Sequence, residues 1–208
     1  MELYDKKATK QNIIRLFHRL QKEIKTADSL LIYYPGHGYF DEITNSGYLI
    51  PTDSSENNFT QQNWISNSQI KGLISKIKAT HILLITDSCF SGNILSMNRG
   101  LSLTIDNDYF RKAYTRNSRQ VLTSGAREFV PDNSESALCL QQFLEKNQQP
   151  VIDPMMIYNE IRLCVSKTTP LLGNLIGIGH QEGGSFLLFS KNICNPWNRR
   201  IYLIPHYS

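Results

Sequence analysis

The fold turns on residues 81–92, His81-Ile82-Leu83-Leu84-Ile85-Thr86 followed at once by Asp87-Ser88-Cys89-Phe90-Ser91-Gly92. The first six residues are apolar at nearly every position. A strand with one wet face alternates apolar and polar residues, so an unbroken run suits a parallel strand covered on both faces. Upstream of it, Ile70, Leu73, Ile74 and Ile77 share one face of a helix predicted from about Ser66 to Lys78, approached through a Ser/Asn-rich cap region. Further upstream, Ser29 to Tyr34 (SLLIYY) is a second β-prone run, which Gly36 and Gly38 break. His37 therefore belongs to a loop at the end of a strand. Ahead of that strand, Ile13, Ile14, Phe17, Leu20 and Ile24 recur at helical spacing and predict an amphipathic helix from Thr9 to Lys25. Behind it, Tyr48 to Pro51 leads into Thr52-Asp53 as part of a small hairpin.

Downstream, residues 93–118 are polar, mixed in charge and weakly periodic, and read as a long loop. Gln120 to Thr123 predicts another strand, ending in Ser124-Gly125. Two helices follow, Ser136 to Lys146 with Leu138, Leu140, Phe143 and Leu144, and Pro154 to Val165 with Met155, Ile157, Tyr158, Ile161 and Leu163. Phe186 to Phe189, preceded by Gly183-Gly184, reads as the last strand. Strands alternating with helices of this size predict an α/β protein, a parallel sheet with helices on both faces.

Composition bounds the function. The 208 residues are enough for one domain with a large core. The net charge is +4, with 22 Lys and Arg scattered among 18 Asp and Glu, and no basic run traces a nucleic-acid backbone. No apolar stretch approaches the roughly 20 residues that span a bilayer, and the N-terminus lacks a signal peptide's apolar core. These features predict a cytoplasmic chain that binds neither nucleic acid nor membrane. The four cysteines, Cys89, Cys139, Cys164 and Cys194, form no CxxC clip and have no histidine placed to complete a zinc site, so no structural metal is expected. Cys139, Cys164 and Cys194 read as buried or incidental thiols. His18 and His81 fall on a helix and a strand start, where packing or exposure accounts for them, and Tyr33, Tyr34, Tyr39 and Phe40 read as core and pocket wall.

Cys89 differs because of its neighbours. In an open parallel sheet, reactive groups collect at the carboxyl ends of strands, where His37 and Cys89 both fall. Thiol catalysis needs such a pair: a thiolate attacks, an imidazole holds its proton and later protonates the leaving amine, and backbone N–H groups stabilise the oxyanion. The amides of Gly38 and Cys89 are the candidate oxyanion donors.

The paired motifs Gly36-His37-Gly38 and Asp87-Ser88-Cys89-x-Ser91-Gly92 resemble those of the caspase-like cysteine peptidases, and among them the metacaspases or orthocaspases. His37 and Cys89 stand 52 residues apart, near the roughly 50 found in caspases. Tyr48 to Asp53 (YLIPTD), Thr123-Ser124-Gly125 and Gly179 to Phe186 (GHQEGGSF) extend the resemblance over about residues 3–190. The Gln-Ala-Cys-Arg-Gly sequence of true caspases is replaced by Asp87-Ser88-Cys89-Phe90-Ser91, the metacaspase form.

The resemblance implies a three-layer caspase-like (caspase-hemoglobinase) fold with a mostly parallel central sheet. It implies a peptidase domain over 1–190 that lacks the usual N-terminal strand-helix-strand, followed by a tail over 191–208. It also implies a cysteine endopeptidase acting on protein or peptide substrates, with Cys89 as nucleophile and His37 as general base and acid. Asp87 would line the S1 pocket and select Arg or Lys at P1, as a carboxylate on a pocket floor rewards a cation and repels Asp. Glu128 is the match for a second acidic residue of that pocket. Self-processing is implied in the segment that holds Arg99, Arg111, Lys112, Arg116 and Arg119. Some members of this branch require calcium, but Asp106 and Asp108 fall far short of a coordination set, so no cofactor is expected beyond calcium as an activator. His180 takes a structural or loop role. The competing expectation is a catalytically silent caspase-like module that docks or signals within a larger protein, alongside other domains or subunits.

Overall fold

The computed structural model describes residues 3, 5–54, 63–89, 95–97, 107–125, 134–190 and 201–202. Helix α1 (Lys10–Glu23) starts at Thr9, whose side chain accepts the Asn12 N–H, and it buries Ile13, Leu16, Phe17 and Leu20. The chain then runs up β1 (Ser29–Tyr34), turns through the hairpin β2 (Gly38–Asp41) and β3 (Ser46–Leu49), and passes through β4 (Ile65–Ser66). A reciprocal cap opens α2 (Asn67–Ser75): Ser66 accepts the Gln69 N–H while the Gln69 side chain accepts the Ser66 N–H. Helix α2 returns the chain to β5 (His81–Cys89). Beyond it come β6 (Leu95–Met97), α3 (Asn107–Tyr114), β7 (Ser118–Gly125), α4 (Glu135–Lys146), β8 (Val151–Ile152), α5 (Pro154–Cys164), β9 (Leu171–Leu175), β10 (Leu188–Phe189) and β11 (Ile201–Tyr202).

The main sheet is mixed, in the order β11-β1-β5-β7-β9-β6. From β11 to β7 the neighbours are parallel, while β9 lies antiparallel to both β7 and β6. Strand β5 is central, and Ile82, Leu83 and Leu84 are at most 1% exposed. Its successive residues feed two different cores. Ile82 and Leu84 join Ile32 and the apolar faces of α1 and α2, whereas Leu83 and Ile85 join Leu31, Leu122 and residues of α4 and α5. Period-two alternation between two apolar environments is why 82–85 carries no polar residue.

Several sequence expectations are corrected. Residues 93–118 are not one loop: β6 and α3 lie within them, and Ala113 and Tyr114 of α3 are buried. Phe186 to Phe189 does not close the main sheet. Its last two residues form β10, which pairs with β8 in a separate two-stranded ribbon, while β9, unforeseen, occupies the place beside β7. Leu171-Leu172-Gly173-Asn174-Leu175 lacks β-branched residues and carries a glycine, so propensity gave no strand signal there. The sheet is accordingly parallel only on its β11-to-β7 side.

The reading of Cys139 and Cys164 as thiols is also overturned: they form a disulfide between α4 and α5, with Cα atoms 6.1 Å apart. A 25-residue separation reveals no such pairing until the two helices pack face to face. Arg119 is not a processing site in this fold either. Its guanidinium is buried and donates to the carbonyls of Ala79, Thr80 and Ser118.

Candidate functional site

The two reactive positions are set by one rung of the sheet. Tyr34 of β1 lies in register with Thr86 of β5, and His37 and Cys89 each stand three residues past that rung. The hairpin β2–β3 that follows His37 packs against β5. The carboxyl ends of two adjacent parallel strands thus carry the imidazole loop and the cysteine side by side in the chain's layout. Cys89 is described through its backbone, as the last residue of β5, paired with Gly125.

The His37 loop is held from below by Tyr34. Its buried hydroxyl donates to the Ile50 carbonyl at 3.0 Å and shares its hydrogen with the His37 carbonyl at 3.3 Å. The same His37 carbonyl accepts the Ile50 N–H at 2.9 Å. Burial pushes the Tyr34 phenol well above its ordinary range, against the Ile50 bond, so the hydroxyl stays a donor. The ring fills the space beneath Gly36, where a Cβ would lie 2.6 Å from Tyr34 Cζ. Gly36 is thus required by close approach. Gly38 heads β2, opposite Leu49.

Between Thr86 and Cys89 the register slips: β5 advances three residues while β7 advances two, from Thr123 to Gly125. This bulge spans Asp87 and Ser88. Bulges recur next to active sites because they re-aim side chains. Asp87 lines a shallow cleft together with Tyr33 of β1, Ser124 of β7, Ser136 and Leu140 of α4, and Ile161 of α5. Its Oδ1 accepts the Ser134 hydroxyl at 2.6 Å. Burial raises the Asp87 carboxyl above its ordinary value, and the hydroxyls of Ser134 and Ser124 pull it back. Ser124 lies near enough to favour the carboxylate but closes no bond of normal geometry. The buried hydroxyls of Thr86, Ser124 and Ser136, all on this cleft, have no hydrogen-bond partner among the described residues. The cleft thus places one carboxylate among several hydroxyls.

The sequence placed His37, Gly38, Asp87 and Cys89 at neighbouring strand ends, and the fold brings their backbones there. Glu128 lies outside the described residues, as do Arg99 and Asp106. Asp108 is exposed and pairs with Arg111 at 3.0 Å. Among the described residues, no group of three or more His, Cys, Asp or Glu side chains converges to hold a metal ion, and no helix is long and apolar enough to cross a membrane. His180 sits at the opposite end of the sheet, where its Nδ1 accepts the Arg119 N–H, and burial followed by the Arg119 charge lowers its pKa. His81 is buried there too, stacked on Tyr114. Sequence reasoning missed Ser134, though Asn133-Ser134-Glu135 carries a helix N-cap signal. Its partner 47 residues away had no local trace.

A mixed α/β sheet that presents a histidine loop and a cysteine-ended strand at the ends of adjacent strands is consistent with the caspase-like class of fold. Residues 1–98, the segment that contains His37, Asp87 and Cys89, match the family model described as metacaspase, peptidase C14 domain. Over that segment the chain is metacaspase-like. Among curated proteins, it is 30% identical over 96 residues to Metacaspase-1 of Ajellomyces capsulatus (strain NAm1 / WU24), a match covering 43% of this chain and 26% of that protein. The chain thus spans about a quarter of that relative's length. Among solved structures, protein GSU0716 from Geobacter sulfurreducens shares the fold with a TM-score of 0.53 and 15% identity, over 87% of this chain and 80% of that one.

Proposed function

We propose that this chain is a cysteine endopeptidase of the metacaspase type that cleaves after Arg or Lys, built on a three-layer caspase-like domain. The observation that carries the reading is the juxtaposition of the His37 loop, the Cys89 end of β5 and the Asp87 cleft at the carboxyl end of the parallel strands. The metacaspase match over the same segment supports it.

In this reading the Cys89 thiolate attacks the scissile carbonyl and forms a tetrahedral oxyanion, which the amides of Gly38 and Cys89 receive. His37 holds the thiol proton and delivers it to the leaving amine, the thioester forms, and water then hydrolyses it with His37 as base. Asp87 pairs with the P1 cation, and the hydroxyls around the cleft take up its remaining donors. Tyr34 keeps the histidine loop at its height above the sheet. The substrates are proteins or peptides.

A second reading, a catalytically silent docking or signalling module, is favoured by one feature. Among the described residues, β1 pairs on its side away from β5 at Ser29 and Leu30 only, with β11. Hydrolysis of fluorogenic peptides ending in Arg, Lys or Asp, with and without calcium, separates the two. The peptidase reading expects turnover on Arg or Lys that vanishes in Cys89→Ala; an absence of Cys89-dependent turnover on every peptide selects the silent module.

A further inference from the structure

Asp87 would be a poor recognition group if it stood alone. A carboxylate drawn out of water rises in pKa and loses its orientation unless something holds it. Among the described residues one side chain closes a hydrogen bond of normal geometry to it, and that residue belongs to neither motif.

Ser134 is the N-cap of α4, in extended conformation at φ −66° and ψ 120°. Its hydroxyl oxygen accepts the Ala137 N–H at 3.2 Å, and its hydrogen goes to Asp87 Oδ1 at 2.6 Å. Both capacities of the hydroxyl are therefore used, and each fixes the other. The acceptor side is oriented by the helix end, so the donor side points at the carboxylate along one direction only. Through this atom the N-terminus of a 12-residue helix, where N–H dipoles favour negative charge, is coupled to the floor of the cleft.

We propose that Ser134 is a positioning residue for Asp87: by tying the carboxylate to the N-terminus of α4, it keeps Asp87 ionised and oriented, and so sets the pH range over which the cleft accepts a cationic side chain. The proposal rests on the reading of Asp87 as the group that recognises a basic P1 residue. It adds that the recognition is controlled from a helix cap outside the catalytic motifs.

The surroundings leave Ser134 as the main control. From β1 the titratable neighbour is Tyr33; β7 contributes the hydroxyls of Thr123 and Ser124, and α5 contributes Ile161. On α4 the nearest charge is Glu135, whose carboxylate is engaged elsewhere, by the Ser166 N–H and hydroxyl and by Lys167 at 3.4 Å. Cys89 lies two residues along the strand from Asp87 itself. No cation among the described residues lining the cleft holds the carboxylate ionised in place of the hydroxyl.

The sign follows from the chemistry. A donor to a carboxylate favours the charged form, so removing it raises the pKa, and the carboxylate is lost at a higher pH on acidification. The test is carbon-13 NMR titration of the Asp87 carboxyl in wild type, Ser134→Ala, Ser134→Gly and Ser134→Thr, with the binding of N-acetylarginine N-methylamide followed on the same signal. Glycine preserves most N-cap stability while deleting the hydroxyl, so it separates the link to Asp87 from helix capping.

The Asp87 midpoint is expected to move upward in both Ala and Gly variants and to return in Thr, and probe binding near the midpoint to weaken by on the order of tenfold in the first two. In peptide assays the acidic limb of kcat/KM for an Arg substrate should move with the midpoint. The change should fall on KM more than on kcat. An unmoved midpoint in Ser134→Ala, or a shift in Ala that is absent in Gly, overturns the proposal. Absence of Cys89-dependent turnover in wild type would instead reject the peptidase reading, while the titration and probe binding still decide the role of Ser134.

Discussion

Replacing Gly36 by alanine probes whether the histidine loop rests on Tyr34. An added Cβ would fall 2.6 Å from Tyr34 Cζ, 2.7 Å from its hydroxyl oxygen and 2.9 Å from Cε1. These atoms belong to a ring that is 6% exposed and cannot swing into solvent. Gly36 is not among the glycines with positive φ, so the expected penalty is steric and not conformational. Either the ring or the loop must yield, and each movement breaks the hydroxyl's shared bond to Ile50 and His37. Overpacking costs about 1–3 kcal/mol, and the lost bonds add about 1 kcal/mol, for a total of about 2–4 kcal/mol. For a chain of this size that lowers Tm by roughly 4–16 °C.

The assay is chemical and thermal denaturation, repeated in a Tyr34→Leu background. There the alanine meets no ring, and the coupling between the two sites should cancel most of the penalty. Turnover on a P1-Arg peptide should fall in Gly36→Ala at temperatures where the variant is still folded, because His37 rides on the displaced loop. Wild-type stability and turnover in Gly36→Ala, or an undiminished penalty in the Tyr34→Leu background, would refute the account of the loop.

Two further outcomes follow from the cleft and the helices behind it. Burial holds the Asp87 carboxyl above its ordinary pKa; such a group contributes stability that is present below the unfolded value and lost as pH rises through the folded one. Asp87→Asn should therefore melt higher than wild type at pH 7, with the gap closing below about pH 4, and equal or lower melting at pH 7 contradicts the placement of Asp87 in a desolvated cleft. The disulfide Cys139–Cys164 closes a 25-residue separation. By loop entropy a dithiol reductant, or Cys139→Ser with Cys164→Ser, should lower unfolding free energy by about 3–4 kcal/mol. Identical denaturation curves with and without the bridge count against it.

How much of this was legible in the sequence depends on where the information lies. Unbroken apolarity at 82–85 reported a strand flanked by two cores, because each successive residue enters the other one. Glycines beside His37 reported the strand-end loop, although the reason for Gly36, the Tyr34 ring beneath it, needed coordinates. Helix periodicity placed α1, α2, α4 and α5 within a few residues of their bounds. What stayed hidden was long-range: the Ser134–Asp87 bond, the Cys139–Cys164 bridge and the antiparallel seat of β9. Each is a pairing of segments, and one-dimensional pattern has no term for it. Helix α3 was missed because Asn107, Asp108, Arg111 and Lys112 dilute its apolar face, and among its described side chains only Ala113 and Tyr114 bury fully.

The central claim is that Cys89 is a nucleophile activated beside His37 and addressed through Asp87. Its most direct test is covalent labelling with a peptidyl-arginyl chloromethyl ketone, mapped by peptide mass spectrometry in wild type, His37→Ala, Asp87→Ala and Cys89→Ala. The account predicts rapid alkylation at Cys89 alone. The reaction should be strongly slowed in His37→Ala and Asp87→Ala, absent in Cys89→Ala, and outcompete a P1-Asp analogue of the same reagent. Equal labelling by the Asp analogue, labelling that survives in Cys89→Ala, or an inert Cys89 in wild type would contradict it.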